Sequence, residues 1–388
     1  MKINLEPWKI PSEERKAIAK NAKKAGKKVA LMLYPSPDAS TFRYRGYNTF
    51  CATKKSEKWQ LIYFFLDEIE ILKSLIPDSD ILIFSRLNHW DYVLDDLAML
   101  AHNYGLPILN DLDDCVCGLK HVKQMFNTVS PDLIDRDYWI NTCANFELVS
   151  YAADGFIATN EYLGKLLSND HDKKPYFVIQ NSLNKEQIEY SEFLVRKKHH
   201  QKKQKNFTLG YFSGSATHAV DLGVIYPEIL QLLADFPDIR LRIVGEMHLP
   251  ESATPFIKRG QIEFYPIVDF MELQRLISEV DVNLAPLADN IFTNCKSELK
   301  YFEAAIVETP TIASPTFTFE TSIKNGKTGF LCQPGEWYDA ILELYKNRGL
   351  NNEVVRAAKA ACLKEYSPET MTEKIDKVFD EILKRFKK

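Results

Sequence analysis

The chain has 388 residues, which is enough for two domains that each bury a sizeable core. Its 45% apolar and 26% charged content is typical of a soluble globular protein, and its net charge of -4 gives no reason to expect nucleic acid as a partner. The sequence shows no apolar run of membrane-spanning length and no signal peptide. Seven scattered cysteines, of which only Cys115 and Cys117 are close, do not form a zinc pattern and predict a reducing cytoplasm.

Residues 1–28 are a basic N-terminal extension. Seven lysines and arginines lie between Arg15 and Lys28, and Trp8 and Ile10 precede them. This pattern suits a basic helix that lies on an anionic membrane surface, which would place the protein peripherally at the inner face of the plasma membrane. It equally suits a solvated N-terminal helix, and the sequence leaves both open.

Residues 29–184 are predicted to form the first domain. Residues 29–34 are apolar and end at Pro35, so they predict a buried first strand. Further strands are predicted at 60–65, 81–86, 107–110, 155–160 and 176–180, with helices at 42–53, 68–75, 92–104 and 161–167. This alternation predicts a doubly wound parallel sheet. No Gly-x-Gly-x-x-Gly pattern follows the first strand, which argues against a dehydrogenase.

Ligands of such sheets bind at the carboxyl ends of the strands. The sequence places polar residues there, and we expect them to line one side of a ligand site. They are Ser36–Thr41, Arg43, Arg45, Arg86, Asp111–Asp114, Asn160 and Asn181.

Residues 185–206 end in the run RKKHHQKKQK and are predicted to be a solvated linker between two domains. Its charge also suits an anionic membrane or a lipid diphosphate. The second domain is predicted at 207–367, with strands at 208–212, 240–245, 262–265, 281–286 and 311–314. Its helices are predicted at 220–236, 271–280, 337–345 and 353–366, and Pro368 separates a last helix at 368–388.

Residues 294–315 stand out within the second domain. Ser297 is a predicted helix N-cap, and Lys296, Lys300 and Glu303 fall on one stripe of the helix beside an apolar stripe. Two lysines at a helix N-terminus suit a diphosphate, and a carboxylate two turns in suits the hydroxyls of a ribose. An ordinary amphipathic helix with a solvated Glu-Lys pair is the alternative.

The same stretch carries a resemblance. Residues 296–315 read KSELKYFEAAIVETPTIASP, and Ile323, Asn325-Gly326 and Thr328-Gly329-Phe330-Leu331 follow. This resembles the donor-site segment of family-4 glycosyltransferases with the GT-B fold, whose pattern is Glu-x7-Glu followed by small residues and proline. Glu303 matches the second Glu, which holds the nucleotide ribose, whereas Cys295 stands where the first Glu is expected. The Lys-Ser pair resembles bacterial polysaccharide and rhamnan glycosyltransferases.

The resemblance implies an α/β GT-B protein: two Rossmann-like domains facing across a cleft, with the C-terminal helix crossing back to the first domain. It implies a retaining, metal-independent transfer of a sugar from a nucleotide-diphosphate donor to a hydroxyl of a glycan or lipid-linked acceptor, with no cofactor. Thymidine-diphosphate rhamnose and uridine-diphosphate sugars are both plausible donors by resemblance, and bacterial cell-surface polysaccharide synthesis is the implied pathway.

The implied site residues fall into three groups. The residues expected to bind the donor are Ser213, Gly214, Ser215, Val268, Ser297, Glu298, Leu299 and Glu303. Catalysis falls to His218, Lys296 and Lys300 of the second domain and to Asp111 and Asp113 of the first. The acceptor side falls to Arg43, Arg45 and Arg86.

Alternatives remain for several of these residues. His218 also suits a helix-capping role, and Val220 stands where relatives carry an arginine. Asp111 and Asp113 resemble the Asp-x-Asp metal motif of GT-A glycosyltransferases, although we expect them to orient a hydroxyl or to serve as a base. Finally, the chain suits a non-catalytic GT-B scaffold or a glycan-binding partner of an active glycosyltransferase, because Cys295 replaces a carboxylate.

Overall fold

The computed structural model describes residues 4–38, 40–88, 91–123, 135–200, 205–213, 219–247, 249–347 and 351–386. Its strands form two sheets of six parallel strands each. The first sheet has the order β2-β1-β3-β4-β5-β6 and the second has the order β12-β11-β10-β7-β8-β9. Each sheet thus has the doubly wound topology that the alternating pattern predicts.

The strands of the first sheet are β1 (Lys28–Tyr34), β2 (Trp59–Phe65), β3 (Ile81–Ser85), β4 (Ile108–Leu112), β5 (Gly155–Ala158) and β6 (Tyr176–Val178). Those of the second are β7 (Phe207–Phe212), β8 (Ile239–Val244), β9 (Ile262–Tyr265), β10 (Val282–Ala285), β11 (Thr311–Ala313) and β12 (Phe330–Leu331). The strands β2 and β7 are buried along their whole length and β1 is buried except at Lys28, as is typical of parallel strands covered by helices on both faces.

Seven described α-helices belong to the first half of the chain. They are α1 (Ser12–Lys24), α2 (Thr49–Thr53), α3 (Ile69–Lys73), α4 (Tyr92–Asn103), α5 (Arg136–Ala152), α6 (Glu161–Asp170) and α7 (Lys185–His200). A π-helix, Arg43–Asn48, runs directly into α2.

Ten described α-helices belong to the second half. They are α8 (Ala219–Gly223), α9 (Tyr226–Asp235), α10 (Thr254–Lys258), α11 (Phe270–Ser278), α12 (Ile291–Asn294), α13 (Leu299–Ala305), α14 (Phe317–Ser322), α15 (Trp337–Lys346), α16 (Asn351–Tyr366) and α17 (Pro368–Phe386). None of the described helices is both long enough and apolar enough to cross a membrane.

The last helix crosses back to the first domain, as expected. The ring of Phe379 meets Trp59 edge to face at 5.1 Å, and the Trp59 indole donates to Asp380 at 3.0 Å. The hydroxyl of Thr372 donates to the carbonyl of Ala52 at 2.8 Å. This helix therefore completes the core of the first domain from the far end of the chain.

The N-terminal extension is packed into the first domain, which neither sequence interpretation foresaw. Trp8 is buried against Tyr47 and Phe270, and Arg15 is 1% exposed. The Arg15 guanidinium donates to the carbonyl of Tyr63 and pairs with Glu68. The helix α1 is thus a packed element of the fold, and Lys20, Lys23 and Lys24 on it remain exposed.

The predicted solvated linker is largely the helix α7, which packs against α11 of the second domain. Leu194 and Val195 are buried on its inner face. Lys198 donates to the carbonyl of Glu308 at 3.0 Å, and His199 lies 2.8 Å from the Glu308 carboxylate. Part of the basic run is therefore used to attach α7 to the end of α13.

Candidate active site

Segment 294–303 of the second domain lies against the carboxyl ends of β5 and β6 in the first. The side-chain amide of Asn160 donates to the carbonyls of Cys295 and Lys296, both at 3.1 Å. The amide of Asn181 donates to the Ser297 hydroxyl at 3.0 Å. The two domains thus meet at the positions where parallel sheets bind ligands.

The helix of this segment begins one residue later than the sequence suggests. Leu299 is its first residue, Glu298 occupies the cap position, and no side chain caps it. Ser297 is therefore not the N-cap, because its hydroxyl is used by Asn181. Glu298 is 1% exposed and accepts from Gln180 at 3.2 Å, and burial raises the pKa of its carboxyl.

The two predicted lysines lie close together at the start of this helix. The Lys300 ammonium donates to the Phe212 carbonyl at 2.6 Å, at the end of β7. Burial lowers the pKa of Lys300 to about 8, while the carboxylates of Asp221 and Glu303 oppose that shift. The Lys296 ammonium lies 3.6 Å from the Asp114 carboxylate of the first domain. Lys296 therefore faces the cleft, and Lys300 lies beneath it.

Glu303 is held from the first domain. Its Oε1 accepts a hydrogen bond from the Tyr44 hydroxyl and lies 3.5 Å from the Arg43 guanidinium. Its backbone carbonyl accepts from the Gln274 amide at 2.7 Å. Arg43, expected on the acceptor side, instead lies beneath the predicted ribose anchor. The π-helix that presents Arg43 and Tyr44 is buried throughout, and such helices are frequent at functional sites.

Asp111 is engaged in a buried ion pair. Its carboxylate accepts two bonds from Arg45 Nε at 3.1 Å, one from Arg45 Nη2 at 2.5 Å and one from the Ser85 hydroxyl at 2.8 Å. Arg45 also donates to the Ile179 carbonyl at 2.6 Å and to Asn181 Oδ1 at 3.2 Å. This geometry does not favour the roles expected of Asp111 and Arg45, because each is closed off by the other.

Asp113 and Asp114 remain at the edge of the cleft. Asp113 lies 2.5 Å from Arg86 Nε and accepts from the Thr41 hydroxyl at 3.2 Å. Asp114 pairs with Lys296, and desolvation raises the pKa of its carboxyl while Lys296 lowers it. Arg86 adopts the left-handed conformation with φ of 54°, which turns its side chain towards these carboxylates. Asp113 and Arg86 thus lie together where the sequence predicts an acceptor pocket.

The other predicted donor residues are placed as follows. Gly214, Ser215 and His218 lie outside the described residues. Ser213 is buried, and its backbone amide donates to the Val244 carbonyl at 2.8 Å. Val268 and Leu299 are half-buried beside apolar clusters.

Two features of the site were missed by sequence reasoning. Tyr44 lies 259 positions from Glu303, so no local pattern links them. Gly245 has φ of 107°, and a Cβ there would meet the Ser213 carbonyl oxygen at 2.2 Å. A glycine as the last residue of a predicted strand was the available signal for this close approach.

Cys295, in place of the first family Glu, is fully buried between the domains. A hydrogen bond with the Cys115 thiol and burial raise the pKa of the Cys295 thiol well above its usual value, so it is a neutral group. No carboxylate reaches the donor side from this position. Within the described segments, no group of three or more His, Cys, Asp and Glu side chains is arranged to hold a metal ion.

Comparison with known proteins adds to this geometry. The family model for "Glycosyl transferases group 1" matches residues 209–347. HepE from Anabaena, solved in complex with UDP, has a TM-score of 0.57 at 13% identity, with 91% of this chain and 100% of that chain covered. A glycosyltransferase from Rickettsia africae has a TM-score of 0.60 at 14% identity, with 92% and 99% covered.

WaaG, described as a glycosyltransferase involved in lipopolysaccharide biosynthesis, has a TM-score of 0.58 at 12% identity, with 90% of this chain and 99% of that chain covered. No curated protein matches the sequence. The structural matches confirm the predicted GT-B fold, with its two Rossmann-like domains. That fold excludes the alternative of a GT-A enzyme built around Asp111 and Asp113.

Proposed function

We propose that this chain, which has the GT-B fold and whose residues 209–347 match the group 1 glycosyltransferase family model, moves a sugar from a nucleotide-diphosphate donor to a hydroxyl of a glycan or lipid-linked acceptor. The observation that carries this proposal is the grouping of Lys296, Lys300 and Glu303 at the carboxyl end of the second sheet. The two lysine ammonium groups suit a diphosphate, and the Glu303 carboxylate suits the hydroxyls of a ribose.

The donor diphosphate would lie beside Lys296 and Lys300. Departure of a diphosphate builds up negative charge, and preorganised cations stabilise that charge most in a site that excludes water. Lys296 is 11% exposed, and its present partner Asp114 would yield to a diphosphate that carries more charge. His218 and the Ser213–Ser215 turn would complete this site, and Glu303 would accept from the ribose.

The acceptor would enter from the first domain. Asp113 is 13% exposed and its partner Arg86 is 17% exposed, so this pair is open to the cleft. We propose that Asp113 orients the attacking hydroxyl and that its ion pair with Arg86 holds the carboxylate in position. The transfer would retain the anomeric configuration and need no metal ion or cofactor, with a role in bacterial cell-surface polysaccharide synthesis.

The test of the donor site is Glu303→Ala. Calorimetric titration with UDP and thymidine diphosphate should show at least about tenfold weaker binding than wild type, because a charge-assisted hydrogen bond is lost. Glu320→Ala, which removes an exposed carboxylate from α14, is the matched control and should bind as wild type. Unchanged affinity in Glu303→Ala would contradict the ribose assignment.

The test of turnover is nucleotide release from a panel of nucleotide-sugars, with and without chelator. Release from one donor that survives chelation would support a metal-independent transferase and would identify its sugar.

The second candidate function is a non-catalytic scaffold or glycan-binding partner. The buried neutral thiol of Cys295 favours it, because the carboxylate expected there is absent. Absence of both nucleotide binding and nucleotide release would favour the scaffold. Binding without release, even when lipid-linked and free glycan acceptors are supplied, would also favour it.

A further inference from the structure

One of the two carboxylate oxygens of Glu303, the predicted ribose anchor, is already bound by other side chains of the protein. Glu303 Oε1 faces two donor groups of the first domain: it accepts a hydrogen bond from the Tyr44 hydroxyl, and the Arg43 guanidinium forms an ion pair with it at 3.5 Å. No described residue donates a hydrogen bond to Oε2, and the Glu303 side chain is 10% exposed to solvent. Oε2 is therefore the carboxylate oxygen that remains for a ligand.

The two donors to Oε1 are firmly held. Arg43 is 2% exposed, donates to Gln187 Oε1 at 3.2 Å and lies 4.7 Å from the Phe270 ring centroid. The Gln187 amide in turn donates to Gln274 at 3.0 Å, and Gln274 donates to the Glu303 carbonyl. Burial raises the pKa of Tyr44, so its hydroxyl remains a proton donor at any working pH. This closed network keeps Oε1 occupied.

A carboxylate with two open oxygens can accept one hydrogen bond from each hydroxyl of a vicinal diol. The Tyr44 hydroxyl already uses one of the two lone pairs of Oε1, and the Arg43 guanidinium lies 3.5 Å from the same oxygen, so a ligand hydroxyl at Oε1 would compete with both. A ribose would therefore seat only one hydroxyl on Glu303, at Oε2. A 2′-deoxyribose still offers its 3′-hydroxyl to that oxygen, so it loses no hydrogen bond to the anchor.

We propose that Tyr44 is a specificity-determining residue, and that by occupying Oε1 of Glu303 it makes the donor site accept ribonucleoside and 2′-deoxyribonucleoside diphosphates alike. This inference rests on the proposed function, because it takes Glu303 as the sugar anchor of the donor nucleotide. It assigns to one residue the ability to use both kinds of donor named above, the thymidine-diphosphate sugars, which a deoxynucleotide carries, and the uridine-diphosphate sugars.

The experiment compares UDP with 2′-deoxy-UDP, which differ only in the 2′-hydroxyl, by calorimetric titration. If another base binds better in the donor panel, its ribose and deoxyribose diphosphates are used instead. Wild type should bind the two within about threefold, whereas a site that uses the 2′-hydroxyl loses about tenfold or more without it. A wild-type preference for the ribose form above tenfold overturns the inference.

Tyr44→Phe supplies the second arm. It frees one lone pair of Oε1, so the ribose form should tighten at least about threefold while the deoxyribose form is unchanged. Tyr47→Phe removes another buried hydroxyl of the same π-helix, one that binds Glu186 at 3.1 Å, and it is the control that should leave the ratio unchanged. Equal shifts of both nucleotides in Tyr44→Phe would show a merely structural role and overturn the inference.

Failure of the proposed function has a different outcome. If no nucleoside diphosphate of either sugar binds to folded wild-type protein, the donor site itself is absent, and the inference falls with it. Thermal unfolding of each variant is compared with that of wild type, so that a loss of nucleotide affinity caused by unfolding of the variant is recognised.

Discussion

The Arg45–Asp111 pair gives a prediction that separates structure from catalysis. Replacing Asp111 with alanine leaves the Arg45 guanidinium buried at 3% exposure without its carboxylate. Removing one partner of a buried ion pair typically costs about 3–5 kcal/mol, because the other charge remains desolvated. The Arg45 side chain keeps two other acceptors, the Ile179 carbonyl and Asn181 Oδ1. We therefore expect a loss near the lower limit, about 3 kcal/mol.

The assay is urea unfolding followed by tryptophan fluorescence, with the free energy of unfolding compared between wild type and Asp111→Ala. The double variant Arg45→Met/Asp111→Leu should recover most of the loss, since an apolar pair of similar volume often replaces a buried ion pair without cost. Asp113→Ala, which removes the partner of the half-buried Arg86, should cost only about 1 kcal/mol. Wild-type stability in Asp111→Ala together with abolished sugar transfer would refute the reasoning and make Asp111 a catalytic group.

Three further predictions concern other parts of the fold. Burial lowers the pKa of Lys300 to about 8, so its positive charge is lost as pH rises through that value. The affinity for a nucleoside diphosphate, measured by calorimetric titration, should therefore fall above pH 8 in wild type but stay level in Lys300→Arg. A level affinity in wild type would contradict this prediction. Phe379→Ala should lower the free energy of unfolding by about 3–5 kcal/mol, while the exposed Lys377→Ala should lower it by less than about 0.5 kcal/mol. Gly245→Ala should weaken nucleotide binding in calorimetry, because its Cβ would displace the Ser213 carbonyl at the end of β7, and wild-type affinity would show that this approach is not needed.

Most strands could be predicted, because stretches such as 29–34 and 61–65 are continuous apolar runs, but the two-residue edge strand β12 was not predicted. Helices were harder where the apolar stripe is broken. The helix α5 was not predicted, since Tyr138, Leu148 and Tyr151 are exposed on it and obscure its periodicity. The helix predicted at 220–236 is two helices, α8 and α9, because Gly223 ends the first and Pro227 lies at the start of the second.

The candidate site could also be predicted only in part. The spacing of Lys296, Lys300 and Glu303 was visible in the sequence because it lies within one segment. The partners of these residues were not visible, because Asp114 and Tyr44 come from a domain that is distant along the chain. The roles of Arg43 and Arg45 were expected from their position after the first strand, but charge alone does not reveal that a buried carboxylate already neutralises each.

Asn181 connects the structural and the proposed functional parts of the cleft. Its Oδ1 accepts from Arg45, which Asp111 holds, and its amide donates to the Ser297 hydroxyl beside the two lysines. An amide that uses both its acceptor and its donor has its orientation fixed, so Asp111 is linked to the second domain through three successive hydrogen bonds, by way of Arg45 and Asn181. The buried ion pair of the first domain therefore orients the segment that would hold the donor. This arrangement gives Asp111, near the end of β4, a structural role at the domain contact.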